Sequence, residues 1–334
     1  MESGGRSTWL LLSDGGVIFR FFADTGEWSS VATIGLIGEP DHKPWCGHAL
    51  NRRLHLSRDS QFAAVVNDFG RHGQLIDLKS GKVTLELNGG EYYSDTVPFS
   101  FSFFELNGKT FAIHRTAWNR LEISDPTTGS LLTERTPNMM SQGGRERPEH
   151  DLDFFHGALY PSPDGLHVVD DGWVWHPVGV MAYWSLARWL SENVWESEDG
   201  PTKKHLCARD YYWNKAVAWI DENRIAVGGI GDDDIDMIEG ARIFDISLPT
   251  ETGGRYRGKK AIETNSFAGP AGVFFSNGIS LFSSDQDGLS RWNLNDGACT
   301  GKIDGFRPSH QHRSARELAQ LVNGVLKRWI IEPI

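Results

Sequence analysis

Short apolar runs broken by polar positions recur along the whole chain, and five of them end alike, in a polar or small pair and a glycine turn. These are VIFRFFADTG at 17–26, QLIDLKSG at 74–81, RLEISDPTTG at 120–129, RIFDISLPTETG at 242–253 and SRWNLNDG at 290–297. A phrase that keeps returning marks a stacked or circular β repeat. The gap between Gly129 and Gly253 is about twice the others, so one degenerate copy is expected near residue 185. It falls in MAYWSLARWLSENVW at 181–195, read as a Trp-containing strand, a polar break and a second apolar stretch.

A second element precedes most of these phrases: LHLSRDSQFAAVV at 54–66, SFFELNGKTFAIH at 102–114, LYPSPDGLHVV at 159–169, VAWIDENRIAVGG at 217–229 and VFFSNGISLFSS at 273–284. Asp-Gly, Asn-Gly and Asp-x-Asn between apolar runs signal hairpins, because Gly, Asn and Asp tolerate the positive φ of tight turns. Each unit is therefore two hairpins in series, an up-and-down four-stranded sheet. With SPDG at 162–165, SRDS at 57–60, IDLKSG at 76–81 and WNLNDG at 292–297, the chain resembles the WD40-like β-propeller family along nearly its whole length. It is a divergent likeness: the Gly-His and Trp-Asp dipeptides do not repeat, and the intervals exceed the usual repeat of about 40–45 residues.

The resemblance implies an all-β propeller. The spacing predicts six four-stranded blades in one domain spanning 1–334, near 50–88, 99–135, 156–195, 214–264 and 268–303, with a composite blade made of 8–34 and a C-terminal strand from 315–331. Closure by the tail would remove the exposed edges of an open repeat. Seven blades is the alternative, because ELAQLV-NG-VLKRWII at 317–331 holds a whole hairpin; RSARELAQLVNGVLKRW at 313–329 also reads as an amphipathic helix broken at Asn323-Gly324.

Thirteen Trp and a hydrophobic content of 39% supply aromatic filling for tapering sheets. Cys46, Cys207 and Cys299 lack paired spacing and the first residues read as no signal peptide, so a cytoplasmic monomer with free thiols is expected. A net charge of −11 argues against binding nucleic acid or anionic membranes. The one basic cluster, Arg255, Arg257, Lys259 and Lys260, reads as a solvated turn.

Long connections are where a propeller carries function. Those at 35–49, 88–99, 136–155, 196–214 and 304–312 are expected on one face, opposite the short turns, and they hold the chemically capable residues. The partner-binding set expected there is Trp45, His48, Asp153, Arg209, Tyr211, Tyr212, Trp213 and His310, with His312 beside it. Aromatic side chains and Arg anchor interfaces. The acidic loop GIGDDDIDMIEG at 229–240 adds Asp232, Asp233, Asp234, Asp236 and Glu239, and Asp285 and Asp287 join them on the next blade. These carboxylates read as a surface that steers a basic protein; calcium binding would need an EF-hand spacing that is absent. His42, Cys46 and His48, or His150, Asp151 and His156, include metal-ligand types without a recognised spacing. The chain carries no GxSxG, HExxH or phosphate-binding glycine loop.

The sequence thus reads as a non-enzymatic scaffold without cofactor that binds a protein partner, an accessory or toxin-neutralising (immunity) protein being one form of it. The alternative is a propeller hydrolase or lyase using His150, Asp151, His156 and Tyr212 for acid/base work.

Overall fold

The computed structural model describes residues 7–35, 37–39, 45–142, 145–252 and 258–331. Their contacts divide into two compact units, one of Trp9–Phe21 and Glu27–His205, the other of Leu206–Ile334 with Phe22–Gly26 and the described end of Met1–Thr8.

The first unit carries blades 1 to 4. Blade 1 pairs Thr8–Leu12, Val17–Phe22 and Glu27–Thr33; blade 2 pairs Asn51–Leu56, Phe62–Asp68, His72–Asp77 and Lys82–Asn88. Blade 3 pairs Phe101–Leu106, Lys109–Ala117 and Arg120–Ser124, with a single bridge from Ser124 to Leu131 in the fourth position. Blade 4 pairs Phe155–Pro161, His167–Val174 and Val178–Ser185, followed by Lys204–Asp210, the strand on which the chain passes to the second unit. The period of two is visible in the packing. Along Phe62–Asp68, Ala63 and Val65 pack with Ile18, Ala32 and Ile34 of blade 1, while Phe62, Ala64 and Val66 pack with Phe99, Phe101 and Ala112 of blade 3. Each fully buried Val, Ile or Phe contributes about 1.5–3 kcal/mol, so blade 2 is held by both its faces.

The repeated phrases share one turn chemistry. In SRDS, Ser57 Oγ donates to Asp59 and accepts from the Phe62 N–H; in SPDG, Ser162 Oγ donates to Asp164 and accepts from the His167 N–H. At the glycine turns, the carboxylates of Asp77 and Asp125 accept from the N–H two residues on, and Gly81 and Gly129 close the turn by donating to Asp77 and Asp125. Both glycines have φ near +70° (69° and 73°), where a Cβ is strained.

Two expectations need correction in this unit and the next. The stretch 181–195 is one strand followed by a helix, Leu186–Ser191, not a strand pair. Ser185 caps it by accepting from the Arg188 N–H, and Leu186 and Trp189, three apart, bury one face between blades 3 and 4. That spacing belongs to a helix.

The second unit carries blade 5 (Val217–Trp219, Arg224–Ile230, Ile238–Asp245, Ile262–Ala268), blade 6 (Val273–Ser276, Ser280–Ser284, Gly288–Asn293, Cys299–Asp304) and blade 7 (His310–His312, Glu317–Val322, Val325–Ile330). The blade count is therefore seven, and the main expectation of six with a composite closing blade is replaced by its alternative. The tail is a blade of its own. Asn323 (φ 50°) and Gly324 (φ 75°) form a two-residue hairpin turn between paired Val322 and Val325, which excludes the amphipathic helix. The inner strand His310–His312 is three residues long and polar, so no apolar alternation announced it. No helix among the described residues is long and apolar enough to cross a membrane.

Candidate partner-binding site

The densest chemistry in the first unit is aromatic. The connection from blade 2 to blade 3 runs through Glu91, Tyr92, Tyr93, Ser94 and Asp95, and residues 94–101 are buried, so this loop is anchored along its second half. Tyr93 adopts a left-handed φ of 46°, and its carbonyl accepts from the Thr96 N–H. Asp95 Oδ2 accepts from the Cys46 N–H at 2.7 Å, which seats Trp45 beside Tyr93 with ring centroids 5.8 Å apart. Blade 4 supplies Trp173, fully buried, and Trp175, half-buried, 4.8 Å from each other and 5.8 and 5.5 Å from Trp45. Tyr92 stacks on Phe155 and meets Trp118, which itself lies 4.5 Å from Phe155. The buried rings brace the exposed ones: Trp45, Tyr92 and Tyr93 remain 50%, 46% and 37% accessible.

The loop before blade 2 is clamped by Glu39. Its carboxylate accepts from the Asn67 side chain and from the backbone N–H groups of Arg71 and His72, at 2.9–3.0 Å. Burial alone would raise its pKa, but those hydrogen bonds and the His72 ring outweigh it and hold Glu39 below the usual carboxylate range. Beneath this connection Arg115 is enclosed, donating to the Gly70 carbonyl and lying over Phe99. Burial lowers its pKa to about 10, against the pull of Asp68 and Glu39.

A cleft of about 420 Å³ lies elsewhere in this unit, lined by Arg120, Glu122, Glu134, Arg135, His150 and Glu198 among others. Arg135 donates to Glu122 at 2.8 Å and to Glu198, and sits over the Trp195 ring. Glu122 is pushed up by burial despite Arg135, with Glu198 adding to the rise. His150 stacks on Trp195 at 4.4 Å and holds Asp199 through Nδ1 at 2.8 Å.

The predicted residues separate accordingly. His150 and Asp151 line the cleft, whereas His156 is fully buried with Nδ1 2.6 Å from Asp170, so the three do not converge on one point. Asp153 is exposed. His48 stacks on Phe69 at 4.3 Å; Cys46 is pushed up by burial and then by Asp95, away from the thiolate form that binds metals. His42, Arg255 and Arg257 lie outside the described residues. Among the described residues no three His, Cys, Asp or Glu are grouped to hold a metal ion.

In the second unit, Arg209 is buried and donates to the Gly228 carbonyl at 2.7 Å. The Tyr212 ring is approached by two cations, Arg209 at 5.0 Å and Lys215 at 4.5 Å; its neighbours in sequence are half-buried Trp213 and exposed Tyr211. In the acidic loop, Asp233 caps the single turn Asp234–Asp236 through the Ile235 N–H, and Asp232 pairs with Arg242, which also holds Glu263. Asp234 and Asp236 are exposed. Asp285 closes a turn by accepting from Asp287 and Gly288, and exposed His310 contacts Ser309.

Sequence reasoning missed Tyr92, Tyr93 and Trp175. The doubled tyrosine in a long loop, and the WVW triplet in which alternate residues share one face, were the available signals.

No protein-family model matches the chain, and no curated protein matches it in sequence. Solved structures do. It is similar to a chain in the crystal structure of the mitotic checkpoint complex, at 14% identity and a TM-score of 0.55, over 100% of this chain and 94% of that one. It is similar to U3-55K at 11% identity and a TM-score of 0.54, over 95% and 85%. The β-propeller domain of Cps50 (Swd1) from Myceliophteria thermophila matches at 13% identity and a TM-score of 0.50, over 99% and 98%. Likeness at this identity carries the fold alone, and that fold is the seven-bladed WD40-type β-propeller.

Proposed function

We propose that this chain is a non-catalytic propeller that holds a protein partner on the aromatic surface of its first unit. The observation that carries the reading is the contact set of Trp45, Tyr92 and Tyr93, half-accessible and backed by enclosed Trp173 and Phe155. Rigid aromatic side chains supply large contact area at small entropic cost, and such residues dominate binding energy at interfaces. One of the similar structures is a multiprotein assembly by its name, which agrees with a scaffold role. The net charge of −11 and the exposed carboxylates of Asp234 and Asp236 favour a partner with a basic surface. A basic toxin neutralised by a cytoplasmic immunity protein has that chemistry, and none of Cys46, Cys207 and Cys299 forms a disulfide, which suits a reducing compartment.

The test is affinity capture followed by reconstitution from purified components. Trp45→Ala with Tyr92→Ala should weaken the purified complex at least tenfold, the loss of about 1.4 kcal/mol or more expected for truncating anchors. Unchanged affinity in this double variant would refute the reading. A hydrolytic activity that disappears in His150→Ala would favour the enzyme instead.

A further inference from the structure

The cleft beside blade 3 is acidic from its floor to its rim. Its volume of about 420 Å³ suits a small ligand, and its lining holds five carboxylates against two guanidinium groups, Arg120 and Arg135. Glu122 and Glu198 are 3% and 4% accessible and form the floor, whereas Glu134 and Asp151 are exposed and form the rim. The fifth, Glu149, is taken up by the Asn138 side chain and by His150.

The floor is short of donors. A single guanidinium, Arg135, serves both buried carboxylates, donating to Glu122 Oε2 and to Glu198 Oε1. Thr133 also donates to Glu122 Oε2, and Ser197 donates to Glu198 Oε2. Among the described residues no hydrogen bond reaches Glu122 Oε1. Arg120 donates to the Arg135 carbonyl and lies over Trp195, so it acts on Glu122 through its field alone. Burial raises the Glu122 pKa in spite of both arginines, which is the mark of a carboxylate lacking a partner. At the rim, neither the Glu134 nor the Asp151 side chain has a hydrogen bond or ion pair among the described residues.

We propose that this cleft binds an unbranched aliphatic polyamine, one terminal ammonium donating to Glu122 Oε1 and another reaching Glu134 and Asp151. Among the described residues no three His, Cys, Asp or Glu are gathered closely enough for a metal ion, so the negative charge is drawn out along the cleft. A cation drawn out along a chain matches it. Each ammonium brings three N–H donors, and hydrogen bonds between ionised partners are the strong ones. The methylenes between them meet Ala117, Leu131, Pro137 and Pro148, the apolar part of the lining.

The test is calorimetric titration of the full chain with putrescine, spermidine, n-butylamine and Nα-acetyl-lysine amide. Putrescine and spermidine should each bind at one site. Putrescine should bind at least about tenfold more tightly than n-butylamine, the same chain with one ammonium, because its second contact is intramolecular. Glu134→Gln combined with Asp151→Asn should bring putrescine down to the butylamine level without moving the melting temperature. Glu122→Gln, which keeps an acceptor for Arg135, should weaken both amines about tenfold or more; should it fail to fold, the exposed pair decides. A net charge of −11 attracts any polyamine, so Asp234→Asn combined with Asp236→Asn, on blade 5, is the control and should leave putrescine affinity unchanged. The proposal is overturned by equal affinity for putrescine and n-butylamine, by no binding, or by affinity that survives the Glu134/Asp151 variant. An equal loss in the Asp234/Asp236 variant, or tighter binding of Nα-acetyl-lysine amide than of putrescine, would overturn it as well.

Discussion

His156 Nδ1 lies 2.6 Å from Asp170 Oδ2, and neither side chain is accessible to solvent. Asp170 Oδ1 also accepts from the Gly157 N–H at 2.9 Å, so the pair ties the first strand of blade 4 to the second. A group this enclosed acts on the fold. Removing one partner leaves the other buried with a lost hydrogen bond, which costs about 1–3 kcal/mol. Asp170→Ala should therefore lower the urea midpoint, while the affinity of the folded fraction for the purified partner stays at the parent value.

A pH prediction comes from His114, buried in blade 3 with Nε2 2.8 Å from Ser124 Oγ. Burial lowers its pKa from 6.5 to about 4. Above pH 6.5 the ring is neutral in both states and its contribution is complete. As pH falls, the unfolded chain takes up a proton that the folded chain refuses until about pH 4, so stability is lost across that window. His55, pushed to about 3 by burial and then by Arg53, acts in the same direction. The shift at His114 corresponds to about 3 kcal/mol between pH 7 and 4. Asp68 and Glu122, raised by burial, work oppositely, so the measurement is a difference. Chemical denaturation of His114→Gln against the parent at pH 7, 5.5 and 4.5 should show the variant losing less stability on acidification.

Turn glycines of identical sequence appearance should differ in tolerance. A Cβ on Gly165 would lie 1.8 Å from the Glu105 carbonyl oxygen of blade 3, whereas one on Gly108 would meet nothing within 4 Å; both have φ 73°. Gly108→Ala should cost only the left-handed backbone term of about 1–2 kcal/mol. Gly165→Ala adds a backbone collision and should cost at least twice that by thermal denaturation.

That contrast marks the limit of what residue order reveals. The DG and NG turns and the unbroken apolar run FAAVV state that strands and hairpins exist, because φ and β propensity are local properties. Whether Gly165 abuts Glu105 depends on how neighbouring sheets dock, which no local pattern encodes. Blade 7 escaped the count for a related reason: His310–His312 is polar and three residues long, and it is a strand because Glu317–Val322 pairs with it. The site was half legible. Trp45 stood out as an aromatic residue in a long loop, but its contact with Trp175 joins residues 130 positions apart in sequence, and His150 and His156, six apart, separate because the strand Phe155–Pro161 turns one of them inward.

The acidic loop offers a kinetic prediction. Asp234 and Asp236 are exposed and Asp232 is largely so, and although Asp232 contacts Arg242, that guanidinium is held more closely by Glu263, at 2.6 Å against 3.3 Å. Replacing all three aspartates by lysine should therefore leave the sheet of blade 5 intact while reversing a local field. Exposed charges act on encounter more than on the docked complex, and their reach shrinks to about 8 Å at physiological salt. With a purified basic partner, the association rate should fall about tenfold at low ionic strength, the dissociation rate should barely move, and the difference should vanish in 1 M salt. Truncating Trp45 should do the reverse, raising the dissociation rate at every salt concentration. Stopped-flow binding of both variants distinguishes steering from anchoring, and an association rate indifferent to the aspartates at low salt would remove the acidic loop from the interaction.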